Sequence, residues 1–384
     1  MDDNSLLFNS CAFVASLFLL QTGAVLFTIN TAIIARRCGI PETLIALLTE
    51  GAEWEELAVV IASVLQQRPS LGLGNVVGSS ISNVMGAFAL GLLFNKNPLV
   101  FDVSAKIYSG ALFAVSTIFM LLAFTGLLDL AGGIFFLVGF AVYVVSICSA
   151  IYDGILAPTP EEPVVEAVED LPLPTPSTDH QDLHVSIYPS VLQCHPTEAS
   201  PLLPTYSPRT VPEGPPRPTR TGYHILLVFV GIAALLIAAY ALTQTAASIA
   251  PLFQISNTLI GVTFVSMSTT LPEKIVAIIS SWQNRTTVMT ATTAGSNMFL
   301  LTLCIGIVFV GGSQGDADLD FRDPLGPGTG LLTDNLVAFE VWTVWTCSIL
   351  LMVVTWTGGR RWLGGLLFGL YIAFIGVELT FFKR

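Results

Sequence analysis

Ten apolar runs, each near the roughly 20 residues needed for a helix to cross a bilayer, leave this chain of 384 residues little choice but a bundle of membrane-spanning helices. They lie near 11–35, 41–66, 70–94, 104–128 and 131–152, and then near 223–249, 258–282, 286–311, 335–357 and 362–382. Within hydrocarbon each backbone N–H and C=O must be satisfied by protein, which favours helices over open strands. The fold class expected is therefore an all-α polytopic membrane protein. Only 11% of the residues are charged and 53% are hydrophobic, against roughly 25% charged in soluble domains. The first run follows Met-Asp-Asp-Asn, which has no basic segment, and reads as a retained span rather than a cleaved signal peptide.

Basic residues mark the side that stays in the cytosol. With the N-terminus outside, the inner loops hold Arg36, Arg37, Lys96, Lys106, Arg209, Arg217, Arg220, Arg285, Arg360 and Arg361. The outer segments hold only Arg68, Arg322, Lys383 and Arg384, and Lys274 falls within a span. Each half then has five spans, so the second half, 223–384, enters the membrane upside down relative to the first, 1–153. Transporters built from inverted repeats place their substrate near the bilayer midplane, at the interface between the repeats.

The segment between the halves, 154–222, has fifteen of the twenty-two prolines and little apolar periodicity, the composition of a disordered cytosolic linker. His180, His184 and His195 lie in it at spacings that match no metal site. Glu198-Ala-Ser-Pro-Leu202-Leu203 has the form of an acidic dileucine signal, which points to a sorting adaptor and a vacuolar or other endomembrane address. Asn284-Arg285-Thr286 is a glycosylation sequon on the cytosolic side, where it is expected to stay unmodified. The outer loop 312–334 carries Asp316, Asp318 and Asp320, but Phe321 and Pro327 stand where a calcium loop needs Gly and Glu, so it reads as a solvated acidic loop. Six scattered cysteines indicate neither a zinc site nor a disulfide framework. Nothing in the charge pattern suggests nucleic-acid binding.

Two stretches break the apolar monotony in the same way. Gly51 to Asn83 places Glu53, Glu55 and Glu56 on one span and G-N-V-V-G-S-S-I-S-N on the next; Gly261 to Phe299 places S-T-T-L-P-E on one span and A-G-S-N on the next. A carboxylate at the centre of a membrane helix costs about 2.5–3.5 kcal/mol on insertion scales, which makes such residues functional candidates. A hard divalent cation stripped of water needs several oxygen ligands. Helix breaks expose backbone carbonyls where they line a cavity. In the second half Ser268, Thr269, Thr270 and Glu273 offer such oxygens around Pro272, and Ser296 and Asn297 follow Gly295. In the first, Glu53 and Glu56 follow Gly51, while Ser79 and Asn83 accompany Gly78. Gly51, Gly78, Pro272 and Gly295 are the expected breaks or hinges. Glu53 and Glu56 share a face if the helix is continuous there. Small residues also line ordinary helix contacts in membranes, so the hydroxyls alone decide nothing.

With these residues in view, the chain resembles the calcium/cation antiporter superfamily, the sodium/calcium exchangers and their relatives. The resemblance covers roughly 35 residues per half through the two alpha-repeat motifs, and the ten-span layout beyond them. It implies that Glu56 and Glu273 are the two metal-binding carboxylates, with Ser79, Asn83, Thr269, Thr270 and Ser296 as hydroxyl and amide ligands. Departures from the pattern include Ala52, Glu53, Trp54 and Glu55 in place of a T-S-L-P run, Ser80 for Asn, Ala291 and Thr292 for Gly-Asn, and Leu300 at a ligand position. Lys274 stands where the family has an aliphatic residue; it is expected to pair with Glu53 or Glu55, with snorkelling or a polar cavity as the alternatives. The implied function is Ca2+ export from the cytosol by alternating access in exchange for H+ or Na+, with no enzymatic step and no cofactor. The alternatives are a transport-inactive homologue serving as scaffold or sensor, and a cation channel.

Overall fold

Wherever the structure describes the apolar runs they are helical, as a backbone in hydrocarbon requires. The computed structural model describes residues 3–40, 52–95, 99–101, 103–152, 221–282, 286–312 and 338–381. Outside them lie Gly51, most of the linker with the 198–203 motif, residues 284 and 285 of the sequon, and the Asp residues of the acidic loop.

The first half contains α1 (Asp3–Arg37), α2 (Trp54–Leu65), α3 (Pro69–Phe94), α4 (Val103–Thr125) and α5 (Leu130–Tyr152). The second contains α6 (Thr221–Ile249), α7 (Asn257–Thr269), α8 (Leu271–Trp282), α9 (286–312), α10 (Ala338–Thr357) and α11 (Arg361–Phe381). Among the described residues seven helices are long and apolar enough to cross a membrane, eight if α7 and α8 form one bent span. The other two expected spans are represented by α2, described from its start at Trp54, and by α5. Among the described residues there is no β-strand, only an isolated antiparallel bridge between Leu99 and Gly359.

Burial separates the central helices from the outer ones. Of the apolar window of α3, 89% is buried within the protein, and of α9's, 72%, against 22–28% for α1, α4, α6 and α11. One central helix comes from each half. Lipid is as apolar as a leucine, so hydrophobicity does not draw such helices together and close backbone packing has to. Along α3 a Cβ on Gly74 would stand 2.3 Å from the Thr258 carbonyl oxygen, and one on Gly78 2.3 Å from that of Val262. From the other side, a Cβ on Gly261 would stand 2.5 Å from the Leu71 oxygen. The two halves therefore cross backbone to backbone where α3 meets α7.

Outer contacts combine small residues with polar bonds. Gly23 of α1 packs on Ala234 and Leu235 of α6, and the ring of His224 lies 2.8 Å from Asn30 Oδ1. Between α4 and α10, Ser116 bonds Ser348 at 2.6 Å and Ser109 bonds Thr355 at 2.9 Å. Arg361 at the start of α11 donates to the Leu93 carbonyl at the end of α3. The five described cysteines are free.

Three short π-helical turns interrupt these helices: Ser82–Phe88 in α3, Gly261–Val265 in α7 and Leu300–Cys304 in α9. Such bulges are frequent at functional sites. They correct the expectation that Gly78 and Gly295 break their helices. Both glycines lie in unbroken α-helix, and the irregular winding starts downstream of each. At Gly78 the missing Cβ serves the close crossing, a steric need that does not require a break.

Candidate cation-binding site

Glu53 and Glu56 owe their positions to the start of α2. The helix begins at Trp54, and Glu53 precedes it with φ −83° and ψ 74°, so it is an N-cap residue and not part of a continuous helical face. Its side chain forms no cap hydrogen bond, and it lies beside Glu56 one turn on. Trp54 is clamped between Phe27 of α1, with ring centroids 4.9 Å apart, and Phe299 of α9, at 6.2 Å. Glu55 faces α1, where the Gln21 amide nitrogen can sit 3.0 and 3.3 Å from its oxygens.

Glu273 is positioned by a bend. α7 ends at Thr269 and α8 starts at Leu271, the two inclined by 44°. Pro272 falls in the first turn of α8, where its missing N–H has no intrahelical partner to lose, and Glu273 follows in the same turn. The turn of the chain brings this carboxylate into the field of Glu53 and Glu56 from the other half. Asn83 Nδ2 donates to Glu53 Oε1 at 3.3 Å, Ser296 faces Glu53, and Thr269 faces Glu56. Glu53, Glu56, Asn83, Thr269 and Ser296 are all buried.

This cluster is rich in oxygens that have no protein hydrogen-bond partner. They are both carboxylate oxygens of Glu56, one of Glu273 and the side-chain carbonyl of Asn83; the Ser79 hydroxyl of α3 and the Asn297 carbonyl of α9 are likewise buried without a partner. Buried polar atoms are rarely left so, and each instance asks for an explanation. Carboxylates from both halves, backed by amide and hydroxyl oxygens, are chemically suited to a hard cation passing through as cargo. Among the described residues no three His, Cys, Asp or Glu side chains are gathered tightly enough to hold a metal ion by themselves. Amide and hydroxyl oxygens would therefore have to complete the shell.

A narrow cleft opens from this cluster. It lies between α3, α8 and α9, with Asn83, Glu273 and Ser296 at one end and Ser280 and Thr292 farther along, toward the 283–285 connection.

Several expected residues are elsewhere. Ser268 turns its hydroxyl outward to the Phe264 carbonyl. Thr270 joins a second polar group, giving its proton to the Ser266 carbonyl at 2.6 Å and accepting from Lys274 Nζ at 2.6 Å. Lys274 itself corrects the pairing expectation, for among the described residues it forms no ion pair with Glu53 or Glu55. Its ammonium bonds instead to Ser82, Thr270 and Met267, beneath the ring of Tyr371 at 6.0 Å. The bend at Thr270 explains the diversion, since it leaves carbonyls within reach of Lys274 one turn later. Ser82 carried a sequence signal in its place one residue before Asn83. Tyr371 carried none, because it lies outside both motifs.

Comparison with known proteins agrees with this architecture. The profile of the sodium/calcium exchanger protein family matches residues 8–148 and 223–380. The "Putative antiporter CaxA" of Alkalimonas amylolytica is 25% identical over 299 residues, spanning 77% of this chain and 78% of that protein. Solved structures of the sodium-calcium exchanger NCX_Mj share the fold. One, soaked with Na+ and no Ca2+, superposes with a TM-score of 0.54 at 17% identity over 97% of this chain and 99% of its own. Another, soaked with Na+ and Sr2+, gives 0.54 at 18% identity over 97% and 99%. With two motif-bearing halves matched in order and the oxygen cluster formed between them, this multi-pass membrane protein is a cation antiporter homologue and belongs to the sodium/calcium exchanger protein family.

Proposed function

We propose that the chain is a calcium:cation antiporter that moves Ca2+ out of the cytosol by alternating access, in exchange for H+ or Na+. One observation carries the reading: Glu53 and Glu56 of one half and Glu273 of the other meet in a buried cluster in which both oxygens of Glu56, one of Glu273 and the amide oxygen of Asn83 lack protein partners. Bare carboxylates at mid-membrane are costly. They are tolerable when a cation occupies them in one half-cycle and a counter-ion in the other.

The halves 1–153 and 223–384 are the inverted repeats of this mechanism, and 154–222 is its cytosolic linker. On that topology the 283–285 connection is cytosolic, and the cleft beside Glu273 is the approach from the cytosol. NCX_Mj is named a sodium-calcium exchanger and CaxA a putative antiporter, which agrees with antiport here.

Purified protein reconstituted into vesicles tests the proposal directly. An imposed H+ or Na+ gradient should drive Ca2+ uptake, and the gradient that does so identifies the counter-ion. Ca2+ movement that ignores both gradients would favour a channel. No movement, from protein that is folded and inserted, would favour a transport-inactive scaffold.

A further inference from the structure

Lys274 is a buried lysine within a described span, and its surroundings are those of a bound ion. Four oxygen contacts converge on Nζ: Thr270 Oγ1 at 2.6 Å, Ser82 Oγ at 2.9 Å, Thr270 O at 3.2 Å and Met267 O at 3.4 Å. Two of these are carbonyl oxygens, which can only accept. Thr270 Oγ1 has spent its own proton on the Ser266 carbonyl and can also only accept. Three acceptor-only neighbours match the three donors of an ammonium group. The fourth, Ser82, lies 2.8 Å from Thr270 Oγ1 and 3.1 Å from the Tyr371 hydroxyl, so the hydroxyls form one connected set around the charge.

The place of this cage in the fold is equally specific. Met267 and Thr270 stand where α7 gives way to α8, and the C-terminal end of a half-helix presents partial negative charge and open carbonyls. Discontinuous helices in transporters use such ends to coordinate monovalent cations. The Tyr371 ring adds its π face to the cage. Room for the side chain comes from Gly86, where a Cβ would stand 3.1 Å from Lys274 Cε. Ser82 and Gly86 both belong to the π-turn of α3, so both halves of the protein build the cage.

We propose that Lys274 is a tethered cation, its ammonium permanently filling an oxygen-lined monovalent-cation site at the α7–α8 bend, so that the transport cycle needs no Na+ or K+ at that point. The inference rests on the antiport reading for its part in transport, but the site itself does not. Removing the side chain would open the cage to a free ion. Ammonium resembles K+ in size and Na+ in charge, so both ions serve as probes.

The experiment compares the wild type with Lys274→Ala, using choline to replace Na+ or K+ at constant ionic strength and pH. The first readout is the thermal unfolding midpoint in detergent, which requires no transport. Lys274→Ala should gain stabilisation by Na+ or K+ beyond any shown by the wild type. The second is Ca2+ uptake into vesicles. In Lys274→Ala it should rise about tenfold as Na+ or K+ goes from zero to about 0.15 M, because the competent fraction follows occupancy of the cage. An equal monovalent-ion response in both proteins overturns the proposal. If Lys274→Ala does not fold, Lys274→Met combined with Ser82→Ala and Thr270→Val removes the two side-chain oxygens of the cage and fills it with apolar groups, and should restore expression; failure to restore it counts against the proposal. Gained stabilisation without Ca2+ uptake by either protein keeps the tethered cation and rejects the antiport reading.

Discussion

Replacing Glu56 with Gln separates a residue held for cargo from one held for the fold. Glu56 is 1% exposed, and neither of its carboxylate oxygens has a hydrogen-bond partner. Gln keeps the volume, and its new N–H groups have an acceptor in the adjoining carboxylate of Glu53. What disappears is one negative charge from a cluster of like charges. Without Ca2+ the change should therefore leave stability unchanged or raise it. For Ca2+ the sign reverses. A unit pair at 4 Å and an effective dielectric near 20 is worth about 4 kcal/mol, and a divalent ion doubles it to about 8 before desolvation. If half survives, the loss is about 4 kcal/mol, or close to three orders of magnitude in affinity. The assay pairs gradient-driven Ca2+ uptake in vesicles with unfolding in detergent containing a chelator, for Glu56→Gln and Glu273→Gln. Wild-type uptake by both variants refutes the assignment. A midpoint lowered by several degrees in chelator refutes the view that Glu56 is free of a structural role.

Glu55→Gln should retain most of the uptake, measured in the same vesicles, because the Glu55 oxygens are turned to the Gln21 amide of α1 and act on Glu56 and Glu273 only through their field. Gly78→Ala should cost about 1–3 kcal/mol by overpacking and depress transport more than expression, since the added Cβ meets Val262 O at 2.3 Å where the halves cross; chemical unfolding and uptake together check this. Lys274→Leu should gain nothing from a second change at Glu53, because no ion pair joins them, and matching expression of the single variant and Lys274→Leu with Glu53→Gln is the expected outcome. Protease protection in sealed vesicles should expose the 154–222 linker on the side opposite both chain ends.

The class of fold was legible in the sequence because hydrocarbon imposes it locally. Each run of about 20 apolar residues must satisfy its own backbone, so helices could be placed near Val103 or Arg361 without reference to any neighbour. The cluster was legible for the same kind of reason. Glu56 and Glu273 are expensive in an apolar span, and the Gly-Ser and Ser-Thr runs beside them repeat in both halves. The bend at Pro272 followed from a ring that cannot donate a backbone hydrogen bond.

What the sequence could not settle depended on contacts far apart along the chain. Gly78 and Gly295 are as suitable for a hinge as for a close crossing, and only the approach of α7 shows that Gly78 serves the crossing and the helix continues through it. Thr269 and Thr270 are adjacent and alike, yet the bend directs one toward Glu56 and the other toward Lys274. Lys274 has acids nearby in sequence and in space. Its partner was decided by the carbonyls at the bend, by Ser82 on the opposite half and by Tyr371 on the last helix, a set of oxygens and a ring that only the packed bundle brings to one point.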